Sequence, residues 1–410
     1  PGDGSLALTG VGVCLPLIMI ISAFAALVAS GGAPRASIAM GKGDHDLAEK
    51  LLGGCFTLQI VISAILTAVM LIWSRDLLLM FGASENTIGY AADYMRIYAI
   101  GTLLVQLTLG MNAFITAQGF ATTGMLTVLI GAVANIALDP LFIYGLGMGV
   151  RGAALATVIS QGLSCVWVIC FLRGKKTLLR LKRENLLVSP KLILPCVALG
   201  LAAFIMQSSE SMISVCFNSS LLRYGGDVAV GAMTILSSVM QFAMLPLQGI
   251  AQGAQPISSY NYGARNADRV RQTFRLLLRV CLVYSMVLWA GIMLFPRGFA
   301  GIFTPDAELL DFTARALRIY CAMLFLFGIQ IACQMTFVSI GNAPCSILVA
   351  VLRKFVLLLP LIFLLPSLLP DKVTAVYLAE PVADVIAVTC TALLFSRQFK
   401  KALAVLEAGK

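Results

Sequence analysis

Long apolar stretches alternate along this chain with short polar ones. Residues 4–34, 51–74, 97–138, 152–172, 228–264 and 319–352 contain no Asp, Glu, Lys or Arg. The runs are apolar on every side, with neither the period-2 alternation of a half-buried strand nor a charged helical face. About 20 such residues in a row form a helix that crosses a bilayer, whereas a membrane barrel needs alternating stretches of about 10. The pattern predicts spans at residues 8–33, 47–73, 91–117, 122–144, 152–172, 190–219, 228–255, 270–295, 310–339, 344–366 and 374–397. The run 97–138 is too long for one helix, and the cluster from Gln118 and Gly119 to Gly124 divides it. The expected class is an all-α polytopic membrane protein with eleven spans.

Composition excludes a soluble reading of the 410 residues. Only 12% are charged and 60% are hydrophobic, where a soluble domain carries about a quarter charged residues. The net charge of +10 resembles a nucleic-acid signal until the charges are placed. They flank the spans, where they suit anionic headgroups and orientation. Residues 173–191 hold Arg173, Lys175, Lys176, Arg180, Lys182, Arg183 and Lys191 against the single acid Glu184. Residues 263–279 hold five arginines, and the tail carries Arg397, Lys400, Lys401 and Lys410. The positive-inside rule makes these segments cytoplasmic, so the C-terminus is expected inside and the Pro1 end outside. The single histidine, His45, lies in a polar run, which removes histidine-based metal sites and Ser/His triads. The eleven cysteines form no CxxC pair and read as small hydrophobes. Residues 1–40 lack the basic start and short core of a cleavable signal peptide.

The chain also repeats itself at a constant shift of 222 residues. Gly31/Gly253, Pro34/Pro256, Ser37/Ser259, Gly41/Gly263 and Asp46/Asp268 fall on that shift, as do Arg75/Arg297, Phe81/Phe303, Arg96/Arg318, Tyr98/Tyr320 and Gly119/Gly341. Chance matches in a chain this rich in Leu, Ala and Val would be aliphatic. Residues 190–219 have a counterpart only at about −32 to −3, so the complete unit is expected to have six spans, and the chain reads as lacking its first helix. Two six-span units keep the same orientation in the membrane. They form a parallel repeat about a pseudo-two-fold along the membrane normal, the construction of alternating-access transporters. The expected lobes are residues 1–182, with five spans, and 183–410, with six.

Ionisable groups within spans cost about 2.5–3.5 kcal/mol at a helix centre and mark candidate sites. Asn135 and Asp139 lie four apart on one helical face, and Pro140 frees the carbonyl of Ile136 beside them. This set suits Na⁺, or a proton on a desolvated carboxylate; a helix cap at a proline kink is the alternative. Glu210, with Gln207 one turn before it, stands without a charged neighbour between Lys191 and Arg223. It is expected either protonated or facing a wet cavity, unless it makes an interhelical hydrogen bond. Glu380 and Asp384 share a face at i, i+4, where like charges favour one shared proton; a solvated rim would relieve the same repulsion. Arg96 and Arg318 read as structural or snorkelling residues.

These residues resemble the multidrug and toxic compound extrusion (MATE) family. The resemblance rests on Gly31, Gly32 and the run Ser37 to Asp44, on its copy around Gln255, Pro256 and Gly263 to Asn266, and on Gly152 to Thr157 and Pro381 to Asp384. It covers essentially the whole chain. It implies a twelve-helix antiporter with two six-helix lobes that exports cationic organic compounds against Na⁺ or H⁺. In the family an Asn and an Asp four apart, followed by a Thr eighteen residues after the Asp, form a cation site. Asn135, Asp139 and Thr157 match that spacing. One branch has a glutamate ten residues after a glycine, matched here by Gly200 and Glu210. That branch also places an Asp where this chain has Ile329, next to Gln330, so the coupling ion is assigned to the first lobe.

The resulting expectation is a secondary antiporter for amphiphilic, cationic molecules. It acts as a monomer in a bacterial inner membrane, with Asn135, Asp139 and Thr157 for coupling and Glu210, Gln207, Gln330 and Asp384 for substrate or protons. No cofactor is expected beyond the coupling ion, no metal beyond Na⁺, and no nucleic-acid partner. A lipid-linked oligosaccharide flippase would need basic residues in its cavity for pyrophosphate. An intramembrane aspartyl protease built on Asp139 and Asp384 lacks a Gly-x-Gly-Asp setting. A channel lacks a filter sequence, and nucleotide-driven pumping lacks a phosphate-binding loop. A transporter rather than an enzyme is the reading that remains.

Overall fold

The computed structural model describes residues 3–409. Helices account for the regular structure of the described residues: α1 Asp3–Gly41, α2 His45–Met80, α3 Ile88–Ile100, α4 Thr102–Ala117, α5 Ala121–Pro140, α6 Val150–Arg173 and α7 Pro190–Gly263. Then follow α8 Ala267–Leu294, α9 Pro296–Gly301, α10 Ala307–Tyr320, α11 Phe327–Ser339, α12 Ala343–Val351, α13 Leu359–Leu368 and α14 Lys372–Ala408. Two π-helical segments, Leu141–Gly145 and Leu352–Leu358, continue α5 and join α12 to α13. The pairs α3–α4 and α10–α11 are bent spans of 55° and 45°. The 74-residue α7 breaks at Gly226, whose φ of 68° only glycine adopts readily. With each bent pair taken as one span and α7 as two, the described residues contain the eleven spans the apolar runs predict.

The internal repeat is visible as repeated local chemistry. Ser37 donates to the carbonyl of Ala117 at 2.9 Å, and Ser259 donates to that of Ser339 at 2.8 Å. Both pairs lie on the 222-residue shift. Asn112 and Gln334 likewise donate to the carbonyls of Gly124 and Ser346. Asp44 caps α2 by accepting from the Leu47 amide at 3.0 Å, and Asn266 caps α8 by accepting from the Arg269 amide at 3.1 Å. The residue before each cap has positive φ, 80° at Gly43 and 56° at Arg265. The second copy thus keeps a glycine backbone conformation without the glycine.

Contacts divide the chain into two compact units, one ending at Ser208 and one beginning at Ser209. Residues 183–208, assigned to the second lobe by the repeat, pack with the first unit. The reason is a backbone-to-backbone approach between α1 and the first part of α7. A Cβ on Gly31 would strike the Cys196 carbonyl, and one on Gly200 would strike the Leu27 carbonyl. Small residues permit such close helix pairing in a bilayer, where apolar burial alone gives little drive. Ile193 and Cys196 join the core formed by Leu52, Cys55, Met111, Phe114 and Val168. Gly200→Val should therefore cost about 1–3 kcal/mol or more through overpacking. A lowered unfolding temperature in detergent would register this, and an unchanged one would overturn the contact.

The second unit is built around α14, which packs against α10, α11, α13 and the Leu352–Leu358 segment. Its core contains Phe217, Leu317, Leu358, Ile362 and Tyr377. Tyr377 is 1% exposed and donates its hydroxyl to the Ala229 carbonyl at 2.7 Å. Aromatic pairs of Phe274, Phe337, Phe395 and Phe399 fill the end of the same helix.

Candidate functional site

In the first unit, α5 and α6 bring Asn135 and Thr157 together. The Asn135 amide approaches the Thr157 hydroxyl at 3.5 Å, and Thr157 donates to the Ala153 carbonyl at 3.1 Å. Asp139 follows one turn after Asn135, half-buried, and its Oδ1 is shielded from solvent without a hydrogen-bond partner. A shielded carboxylate oxygen without a donor is costly and invites a proton or a cation. Pro140 cannot donate to the carbonyl of Ile136, and the helix passes into π geometry at Leu141–Gly145 immediately afterwards. Pi segments recur at functional sites because they re-aim side chains and loosen backbone carbonyls. Tyr94 of α3, which packs on α6, lies near Thr157 and within electrostatic reach of Asp139. It is buried and stacks with Tyr98 at 6.2 Å between centroids. Its only sequence signal was an i, i+4 tyrosine pair within a span.

The second unit contains a cluster of opposite charges whose basic members the spacing of the acids did not show. Glu380 and Asp384 do face the same way on α14, and both are buried. Their burial leaves no solvated rim to relieve the repulsion, and Arg353 lies between them. Its Nη2 donates to Glu380 at 2.7 Å and to Asp384 at 2.9 Å, and its Nε donates to Asp384 at 3.1 Å. The guanidinium also sits 4.7 Å from the centroid of Phe327, a cation–π distance. Glu210, expected without a charged neighbour, is ion-paired with Lys354. Both cations belong to the π segment Leu352–Leu358. Two adjacent basic residues inside the predicted span 344–366 were the available signal.

The remaining candidates are dispersed. Gln207 is exposed on α7, one turn before Glu210. Gln330 is buried on α11, one turn beyond Phe327, and its Oε1 has no hydrogen-bond partner. Asp384 stands in the Arg353 cluster, in the second unit, while Asn135, Asp139 and Thr157 stand in the first. Arg318 donates to the Met293 carbonyl at 3.0 Å, a structural role. Eight of the eleven cysteines are buried and all are free.

Helices of bilayer length, units that repeat each other's hydrogen bonds, and ionisable side chains buried within spans define an integral-membrane transport protein. The sequence profile described as MatE matches residues 3–141 and 201–364. The chain belongs to the MatE family of efflux transporters. Among its relatives, the multidrug export protein MepA of Staphylococcus haemolyticus (strain JCSC1435) is 24% identical over 387 residues, which span 94% of this chain and 85% of that protein. The probable multidrug resistance protein YoeA of Bacillus subtilis (strain 168) is 23% identical, over 92% of this chain and 83% of that protein. A solved structure of the MATE multidrug transporter DinF-BH is 34% identical, with a TM-score of 0.88, and the match covers 96% of this chain and 87% of that one. A crystal structure of a MATE protein in a bent conformation matches with a TM-score of 0.94 at 23% identity, covering 99% of this chain and 90% of that one. This last likeness concerns the fold.

Proposed function

We propose that this protein is a secondary active multidrug exporter. It moves amphiphilic, cationic organic compounds out of the cytoplasm in exchange for H⁺ or Na⁺, by alternating access. It acts as a monomer in a bacterial plasma membrane, with its C-terminus inside. The observation that carries the coupling assignment is the shielded, partnerless oxygen of Asp139 beside the Asn135–Thr157 contact. A carboxylate, an amide, a hydroxyl and the carbonyl freed by Pro140 are hard oxygen donors of the kind Na⁺ takes. The carboxylate alone serves a proton. Coupling then follows from exchange: the ion must leave for the carboxylate to be re-loaded from the other side.

The oligosaccharide-flippase alternative gains little from the newly found cations. Arg353 and Lys354 are each engaged by carboxylates of this chain, Glu380 and Asp384 for the one and Glu210 for the other, so neither is a free cation for a pyrophosphate. The test is uptake of a fluorescent organic cation into proteoliposomes, driven separately by a pH gradient and by a Na⁺ gradient. Uptake with one gradient and not the other names the ion. Uptake that needs neither gradient overturns antiport.

A further inference from the structure

Arg353 and Lys354 are sequence neighbours that do different work. On a regular helix, adjacent side chains point roughly 100° apart. The π segment, with its i→i+5 bonding, narrows that step, and both side chains turn inward. Arg353 is held by two carboxylates and an aromatic face. Lys354 is held through the carboxylate of Glu210.

That pair is lopsided. The Lys354 side chain is 7% exposed, whereas that of Glu210 is 55% exposed. A ligand arriving from the open side therefore meets a carboxylate whose charge is already answered from behind. Lysine is a point charge on a flexible four-carbon stem, unlike the forked guanidinium next to it, so it can withdraw. The Glu380 and Asp384 carboxylates lie within electrostatic reach of its ammonium.

We infer that Lys354 is a tethered competitor for Glu210 and thereby determines which cations this site accepts. The inference rests on the cation-export reading above. An organic cation gains Glu210 only by replacing a charge-assisted hydrogen bond. Cations that can donate hydrogen bonds, such as amidiniums and protonated amines, replace it in kind. Shielded cations, such as quaternary ammoniums and phosphoniums, offer charge without a donor and are disfavoured.

The experiment is equilibrium binding to the purified full chain, without any gradient. The probes are tetraphenylphosphonium as the shielded cation, benzamidinium as the donating one and triphenylphosphine oxide as the neutral control. Lys354→Met should tighten tetraphenylphosphonium roughly tenfold, tighten benzamidinium less and leave the oxide unchanged. Lys354→Gln, which retains a hydrogen bond to Glu210 without the charge, should reproduce the gain and covers the case in which methionine disturbs folding. Adding Glu210→Gln to Lys354→Met should abolish the gain. Binding of tetraphenylphosphonium with no gain in either single variant, or an equal gain for the oxide, overturns the competitor role and leaves the cation-export reading standing. No saturable binding of either cation by the wild-type chain and the single variants overturns both.

Discussion

Arg353→Leu is expected to destabilise the second unit by about 3–5 kcal/mol, the usual cost of removing one side of a buried ion pair. The variant would leave Glu380 and Asp384 on one face of α14, each under a tenth exposed, with no guanidinium between them. Two carboxylates cannot remain ionised so close together in a low-dielectric interior, and each would also lose a charged hydrogen bond. Loss of the Phe327 contact adds to the deficit. A fall in folded yield and unfolding temperature in detergent measures the effect. The triple variant Arg353→Leu, Glu380→Gln, Asp384→Asn removes every charge and should recover most of the loss, because a neutral cluster owes no desolvation. A single variant as stable as the wild type would show that Arg353 is not what holds these carboxylates.

Asp139→Asn should lower gradient-driven export on the order of 100-fold, at the upper end of ordinary coupling free energies. Folding and equilibrium binding of substrate should be nearly unchanged. The asparagine keeps the size and hydrogen-bonding capacity of the side chain, but it has no negative charge to hold an ion and no proton to exchange. Thr157→Val and Asn135→Leu each remove one neutral ligand. They should reduce export about fivefold, as a contact of ~1 kcal/mol implies. Proteoliposome uptake under an imposed gradient, beside binding without one, separates coupling from recognition. Undiminished uptake by Asp139→Asn would remove the coupling assignment from the first unit.

Much of this was legible in the sequence. Uncharged runs of bilayer length located the spans because a lipid-crossing helix satisfies its own backbone and tolerates few charges. The repeat was legible because Ser37/Ser259 and Gly119/Gly341 match at a fixed shift. The same hydrogen bond and the same positive φ then appear at both members of those pairs. The Asn135–Asp139 face was legible because i, i+4 spacing is a property of one helix.

Contacts between helices were not legible, and they decided the charge chemistry. Arg353 meets Asp384 across 31 positions and Lys354 meets Glu210 across 144, separations at which sequence spacing carries no geometric information. From α14 alone, two like charges called for a proton; with the π segment packed against it, they have an arginine. Tyr94 entered the first site in the same way, through the packing of α3 on α6. The boundary between the units moved from residue 182 to Ser208 because two glycines, Gly31 and Gly200, let α1 and α7 touch at the backbone. Local pattern and the bilayer's intolerance of charge thus determine which segments cross and which residues share a face. Only packing decides which faces meet, because the energy that selects it comes from close fit and charge pairing between segments far apart in the chain.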